Sequence, residues 1–192
     1  MLLGLSALSW AVLGTLQASA DERWTAVRLS VVALHLAVSV LFMVRRPEVT
    51  GGGVRAAMLA LPSLVASGIA LKLAPPPSEW SGLLTALLVA ATVWTVTAMA
   101  TLGRSFAVLP SRRLLVTKGL FRMVRHPIYL GELALLQVVG AASDSRAVMA
   151  VCLLAIPLVG LRILAEERVL SLDPAWGAFS RRTRWRLLPG LW

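Results

Sequence analysis

Charge is scarce in this chain. Asp, Glu, Lys and Arg make up 15% of its 192 residues, and only 9 of these are acidic. Soluble domains carry about 25% charged residues and about 45–50% apolar ones, whereas here the apolar share is 58% and the mean hydropathy +0.80. A disordered tail and a soluble nucleic-acid binder are therefore excluded. Cysteine occurs once, as Cys152 in an apolar run. That excludes an internally disulfide-stapled secreted domain, and the residue reads as a small core side chain. No metal-ligand cluster and no Ser-His-Asp arrangement is evident among so few histidines and acids. What the chain does have is a formal charge of +10 and long apolar runs, and together they point to a membrane.

Six stretches approach the roughly 20 helical residues that a bilayer crossing needs. They run over Leu2–Ala20, Val27–Val44, Val54–Ala74, Trp80–Leu102, Pro127–Ala142 and Ala147–Ala165. Turn residues or charges separate them: Asp21-Glu22-Arg23, Arg45-Arg46-Pro47, Gly51-Gly52-Gly53, Pro75-Pro76-Pro77 and Ser143-Asp144-Ser145. The fifth is short, follows directly on a proline and is tied to the sixth by a brief turn, so these two should form a tight antiparallel pair. The expected fold is all-α and polytopic, with about six transmembrane helices and a cytoplasmic carboxyl-terminal amphipathic segment. Residues 1–102 read as scaffold and residues 103–192 as the part that carries chemistry, within one domain overall.

The cations set the orientation. Arg45, Arg46 and Arg55 flank the second loop, and Arg104, Arg112, Arg113, Lys118, Arg122 and Arg125 the fourth. Arg162, Arg168, Arg181, Arg182, Arg184 and Arg186 lie at the carboxyl-terminal end, so 15 of the 19 cations share one side. Both termini and the long fourth loop are expected in the cytoplasm. Gln17-Ala18-Ser19-Ala20 before Asp21 resembles a signal-peptidase site, although no Lys or Arg precedes the run. Cleavage there leaves the sidedness downstream unchanged.

His35, inside the second stretch, is an intramembrane ionisable group, and its expected role is a bond to a neighbouring helix. Trp10, Trp24, Trp80 and Trp94 read as interface anchors or packing residues. The fourth loop is richer. It contains Lys118-Gly119-Leu120-Phe121-Arg122-Met123-Val124-Arg125-His126-Pro127-Ile128-Tyr129-Leu130-Gly131-Glu132. Pro127 should open the fifth helix, because its fixed φ costs no hydrogen bond at the first helical position. His126 then stands at the N-cap, beside free N–H groups that favour an anion, and Gly131 leaves room for another helix or a flat ligand.

Past the sixth stretch, Arg162 and Glu166 share one helix face and could form an i,i+4 ion pair worth a few tenths of a kcal/mol. Glu166 and Glu167 stand against the negative pole of their helix, so they need a cationic partner from the basic loop or from a ligand. Asp173-Pro174 reads as the N-cap and N1 of a further helix with Trp176 and Phe179 on its apolar face. Arg181, Arg182, Arg184 and Arg186, interleaved with Trp185 and Trp192, suit a segment lying on anionic lipid.

Taken together these residues resemble the isoprenylcysteine carboxyl methyltransferase family and its phospholipid methyltransferase relatives. The resemblance rests on Arg125-His126-Pro127-x-Tyr129-x-Gly131 after Lys118-Gly119, then Arg162-x-x-x-Glu166-Glu167-x-x-Leu170, then Trp176-x-x-Phe179 and Pro189. It covers the carboxyl-terminal part; the first three stretches match only as hydrophobic helices. It implies an all-helical membrane enzyme that transfers a methyl group from S-adenosyl-L-methionine. The cofactor is expected in a cytoplasm-facing pocket under the fourth loop and the carboxyl-terminal segment, with a lipophilic acceptor entering from the bilayer. Carried onto this chain, Arg113, Leu114, Leu115, Val116, Phe121, His126, Pro127 and Tyr129 line the cofactor site. Glu166 meets the cofactor's ammonium, and Arg162 sits at the acceptor end as the catalytic residue. Phe121 stands where some members have tyrosine, so a hydroxyl contact is lost there. Phe106 is a further candidate for the cofactor wall.

The chemistry of the residues agrees. Arg125 and His126 at a helix N-terminus suit the cofactor's carboxylate, Glu166 its ammonium, and Phe121 and Tyr129 its aromatic or cationic parts. A carboxylate or thiolate acceptor needs no general base, whereas an amine must arrive deprotonated. Glu132 is a candidate for handling a cationic or amine acceptor, or else a buried partner of Arg162 or another loop arginine. The Ala/Leu/Arg-rich composition suggests a bacterial inner-membrane protein and weighs against a prenylated protein substrate. Rival readings are a phospholipid or small-metabolite N- or S-methyltransferase and, in another class, a non-enzymatic scaffold or transporter subunit. No internal repeat of the transporter kind is evident. Nucleic acid and metal ions are not expected partners.

Overall fold

The computed structural model describes residues 8, 9, 12, 25–47, 50–112 and 114–192. The expected Leu2–Ala20 span, its cleavage motif, Trp10, Trp24 and Arg113 lie outside the described residues.

Five apolar helices form the bundle: α1 (Ala26–Val44), α2 (Gly53–Lys72), α3 (Gly82–Leu102), α4 (Pro127–Ala142) and α5 (Arg146–Leu170). Local sequence explains their starts. The hydroxyls of Thr25, Ser81 and Ser145 accept from the amides of Arg28, Leu84 and Val148, closing the N-terminal turns of α1, α3 and α5. His126 caps α4, with Pro127 at the first helical position. Gly103 ends α3 at φ 53°, in the left-handed region that a residue with a Cβ resists.

Four helical segments, Ala26–Val44, Gly53–Lys72, Gly82–Ser105 and Arg146–Leu170, are long and apolar enough to cross a membrane. Among the described residues the count is therefore four, not six. The fifth stretch is a helix of 16 residues, about 24 Å long at 1.5 Å per residue against a hydrocarbon core of about 30 Å. The opposite holds for α5, whose 25 residues run past the expected end at Ala165 and carry Glu166 and Glu167 on the helix itself.

Neighbours in space do not follow chain order. α3 packs on both α1 and α4, α4 on α5, and α5 on α2, which also touches α4. The expected α4–α5 pair is present: Gly140 lets Cys152 approach, with a Cβ built there only 3.1 Å from the Cys152 Cβ. Gln137 donates to the Cys152 carbonyl at 3.0 Å. Gly131 makes room for a helix: its Cβ would fall 2.1 Å from the Thr95 Oγ1 on α3.

One apolar cluster, with Leu88, Leu135, Leu136, Val139, Val148 and Cys152, fills the bundle end opposite the basic loops. A second joins Leu41, Phe42, Met99 and Phe106, where the Phe42 and Phe106 rings meet edge to face at 5.6 Å. A third holds Tyr129, Val159, Ile163 and Leu187. Val54, Met58, Leu83 and Val93 are exposed, as expected of side chains that face lipid.

Two further features were not anticipated. Thr50–Gly51 and Ser111–Arg112 pair as a short antiparallel ladder, Thr50 opposite Arg112 and Gly51 opposite Ser111. Gly52 beside it approaches the Pro110 carbonyl so closely that a Cβ would sit 2.6 Å from that oxygen. The helix expected from Asp173-Pro174 starts later, as α6 (Trp176–Arg182), because the Asp173 carboxylate accepts from the Ala175 amide in a turn instead of capping a helix. After α6 the chain is not an amphipathic helix. Residues 183–192 fold back as an irregular strap across the loop that precedes α4.

Candidate functional site

A cavity of about 300 Å³ opens at the end of the bundle where the basic loops gather. That is the lower end of the range for small-molecule sites, about 300–1,000 Å³. Its rim is Ser111, Leu114, Leu115, Val116, Trp176 and Phe179, and its wall Phe106, Phe121, Arg125, His126 and Tyr129. Deeper in, Glu132 and Arg162 stand at mid-depth, and Leu34, Leu64, Leu71, Leu135 and Leu136 line the floor between the helices.

The proline-initiated start of α4 faces the last turns of α5, and the polar side chains meet there. Tyr129 donates to the Glu166 carboxylate. Its ring stacks on His126 at 5.6 Å with planes 22° apart, and the Arg162 guanidinium lies 4.7 Å from its centroid. Arg162 is buried, donating from Nη2 to the Val108 carbonyl at 2.7 Å and from Nη1 to Glu132 at 3.4 Å. Its Nε is buried and without a protein partner, as is the Ser111 hydroxyl. Glu132 accepts in addition from Ser67 on α2 at 2.8 Å. The i,i+4 pair expected between Arg162 and Glu166 is replaced by these cross-helix bonds.

Glu166 and Glu167 differ sharply. Successive residues on an α-helix point about 100° apart, so the two cannot share partners. Glu166 faces the cavity and, among the described residues, holds only the Tyr129 hydroxyl. Glu167 is buried under three basic side chains. Arg125 Nη1 donates to it at 2.7 Å, His126 Nε2 at 3.2 Å, and Arg186 from Nε and Nη2 at 2.9 Å. The second arm of Arg125 donates to the Arg184 carbonyl at 2.7 Å. Burial pulls the Arg125 pKa below its ordinary value, and the Glu167 carboxylate opposes that pull.

Of the residues expected at a cofactor, Leu114, Leu115, Val116, Phe121, Arg125, His126, Tyr129 and Glu166 line this one cavity, with Arg162 and Glu132 deeper along it. Pro127 does not line it. It lies behind the wall, where its carbonyl accepts from the Trp94 indole at 2.8 Å. The Arg125 guanidinium bonds Glu167 and Arg184 through its two terminal nitrogens, while its buried Nε has no partner among the described residues. His35 lies outside the site: its Nδ1 donates to the Val31 carbonyl of its own helix, not to a neighbour. Sequence reasoning missed Ser67, Ser111 and the Glu167 cluster. The adjacent pair of glutamates was the available signal, since two carboxylates one residue apart must find separate partners. Among the described residues no group of three His, Cys, Asp or Glu side chains could hold a metal ion.

The fold and the site thus define a polytopic helical membrane protein with a cavity that opens at its basic rim. Residues 84–172 match the model of the isoprenylcysteine carboxyl methyltransferase (ICMT) family. The stretch from α3 to the end of α5 is thus similar to a family of membrane methyltransferases, the one that its motifs resemble. No curated protein and no solved structure matches the chain.

Proposed function

We propose that the protein is an integral membrane methyltransferase that takes its methyl group from S-adenosyl-L-methionine and passes it to a lipophilic acceptor resembling an isoprenylcysteine carboxylate. The observation that carries this reading is the convergence of Phe121, His126, Tyr129, Arg162 and Glu166 on one cavity within the family-matched segment.

The residues present fit such a cofactor. Glu166, a carboxylate at the cavity wall with a hydroxyl as its one bonded neighbour, would hold the ammonium. Phe106, Phe121, Trp176 and Phe179 supply aromatic wall for an adenine. The buried, unpartnered Ser111 hydroxyl is a polar contact at the rim. When bound, the cofactor supplies an electrophilic methyl group on a sulfonium, so the protein's task is to bind, align and exclude water. The apolar floor between α1, α2 and α4 suits an acceptor chain, and the loop over the rim closes the site to solvent. Alignment of two bound reactants lowers the barrier through proximity.

At mid-depth both Glu132 oxygens are occupied, by Ser67 and Arg162, whereas Arg162 keeps an unpartnered Nε–H. The unpartnered N–H of a buried guanidinium favours an anionic acceptor head over an amine and makes Arg162 the residue to orient it. The site then faces the cytoplasm, on the basic side, of a bacterial inner membrane.

Calorimetry with S-adenosylhomocysteine on the detergent-purified protein tests the donor half. Saturable binding in the micromolar range supports it, and no heat from a folded sample overturns it. Incubating membranes with methyl-labelled cofactor and identifying the labelled lipid by mass spectrometry tests the acceptor half. A labelled amine would replace the carboxylate reading with N-methylation.

A further inference from the structure

Glu167 does not face the cavity, and no residue of the strap 183–192 lines it. Yet both are bonded to the wall. The strap's Thr183 hydroxyl donates to the Phe121 carbonyl at 3.3 Å. The Arg125 amide donates to the Trp185 carbonyl at 2.8 Å and the His126 amide to the Arg186 carbonyl at 2.9 Å. Each end of the wall, Phe121 and His126, therefore hangs on the strap. Side chains fix the strap to the bundle at two points, Leu187 and Arg186, and its end folds back on Arg186. Leu187 is buried among Tyr129, Val159 and Ile163. The Arg186 guanidinium lies 5.1 Å from the Trp192 ring centroid, and its amide donates to the Trp192 carbonyl at 2.7 Å. The same guanidinium grips Glu167.

The carboxylate also decides the state of the imidazole. An ionised carboxylate only accepts hydrogen bonds, so the bond from His126 Nε2 places the proton on Nε2. In the neutral ring Nδ1 is then a bare acceptor. His35 carries the reverse assignment: a backbone carbonyl accepts from its Nδ1, so its proton is on Nδ1. The chain has 2 histidines, one of each kind.

We propose that Glu167 is a positioning residue for the donor pocket, latching the carboxyl-terminal strap over the Phe121–His126 wall and holding His126 as the Nε2–H tautomer with Nδ1 free to accept from a ligand N–H or O–H. The proposal rests on the methyl-donor reading of the cavity. It implies that His126 meets a donor group of the ligand, an ammonium or a ribose hydroxyl, and not its carboxylate.

The test uses the full-length protein labelled with ¹⁵N-histidine in detergent, at a pH well above the ordinary imidazole value of about 6.5. The expected spectrum has one Nδ1–H and one Nε2–H histidine. Two Nδ1–H rings, or a His126 protonated on both nitrogens, overturns the proposal. In Glu167→Gln the His126 signal should become a tautomer mixture and the affinity for S-adenosylhomocysteine fall about tenfold or more, as with outer partners of metal-bound histidines. An unchanged affinity sinks the positioning role. Arg186→Met leaves Glu167 on His126 and cuts the strap: the tautomer should hold while affinity drops by a smaller factor, and full affinity there removes the latch. If the wild type shows the expected tautomers but binds no S-adenosylhomocysteine, the donor reading fails and the imidazole assignment survives.

Discussion

Glu166 and Glu167 are chemically identical neighbours on α5, and the two faces they belong to have opposite characters. On the cavity face, Arg162 keeps an unpartnered Nε and Glu166 holds a single hydroxyl. On the strap face, Glu167 accepts from Arg125, His126 and Arg186. A buried charge left short of partners is costly, so the sparsely bonded Glu166 carboxylate at the cavity is the one with capacity left for a ligand. The carboxylate on the strap face has three basic partners and the one on the cavity face a single hydroxyl, although each face also holds one arginine, Arg125 and Arg162, whose buried Nε has no partner among the described residues. On the proposed reading, that difference in carboxylate partners separates the residue that binds from the residue that holds the wall.

The largest expected effect breaks the joint. Glu167→Leu leaves Arg125 and Arg186 facing each other without their shared carboxylate, which should cost about 3–5 kcal/mol, the typical penalty for breaking a buried ion pair. It would appear as a large fall in the thermal midpoint of the detergent-solubilised protein. A midpoint within a degree or two of wild type would show that the cluster is ornamental to stability.

Glu166→Gln works on the opposite face. Stability should hold, while S-adenosylhomocysteine affinity falls by about 1.5–3 kcal/mol, the usual worth of a hydrogen bond to a charged group, or roughly ten- to a hundredfold in calorimetry. If both glutamate variants lose stability and affinity alike, the two faces are not distinct. Gly131→Ala acts beneath both faces, because its Cβ would overlap the Thr95 hydroxyl. Overpacking of this kind costs about 1–3 kcal/mol, and the seam between α3 and α4 should open measurably in thermal unfolding. Arg184→Ala is expected to do least. Its side chain is exposed and its backbone carbonyl is what Arg125 uses, so stability should stay within about 0.5 kcal/mol. A larger loss would mean that the strap's basic side chains, and not its backbone, hold it down.

Much of this was legible beforehand because it is local. Pro127 at a helix start, the serine and threonine caps and the apolar runs act within a few residues, and α4 begins and ends where the sequence indicates. The grouping of His126, Tyr129, Arg162 and Glu166 was legible through family resemblance, since no spacing rule joins residues on two separate helices. The strap was not legible. Its basic and tryptophan residues suit a lipid surface equally well, and its fixing bonds come mostly from backbone groups that every sequence has. The bond from Arg125 to Glu167 was not legible either, because it joins a loop to a helix 42 residues further along the chain.

The sequence by itself determined a helical membrane protein, the ends of most helices and the loops in which its cations gather. These follow from hydropathy, capping and charge, which need no partner across the fold. Only the tertiary structure decided which carboxylate faces the cavity, which arginines are consumed in holding it together and where the last ten residues lie. Each of those outcomes is a competition between hydrogen-bonding groups far apart in the chain, won by proximity in the folded bundle.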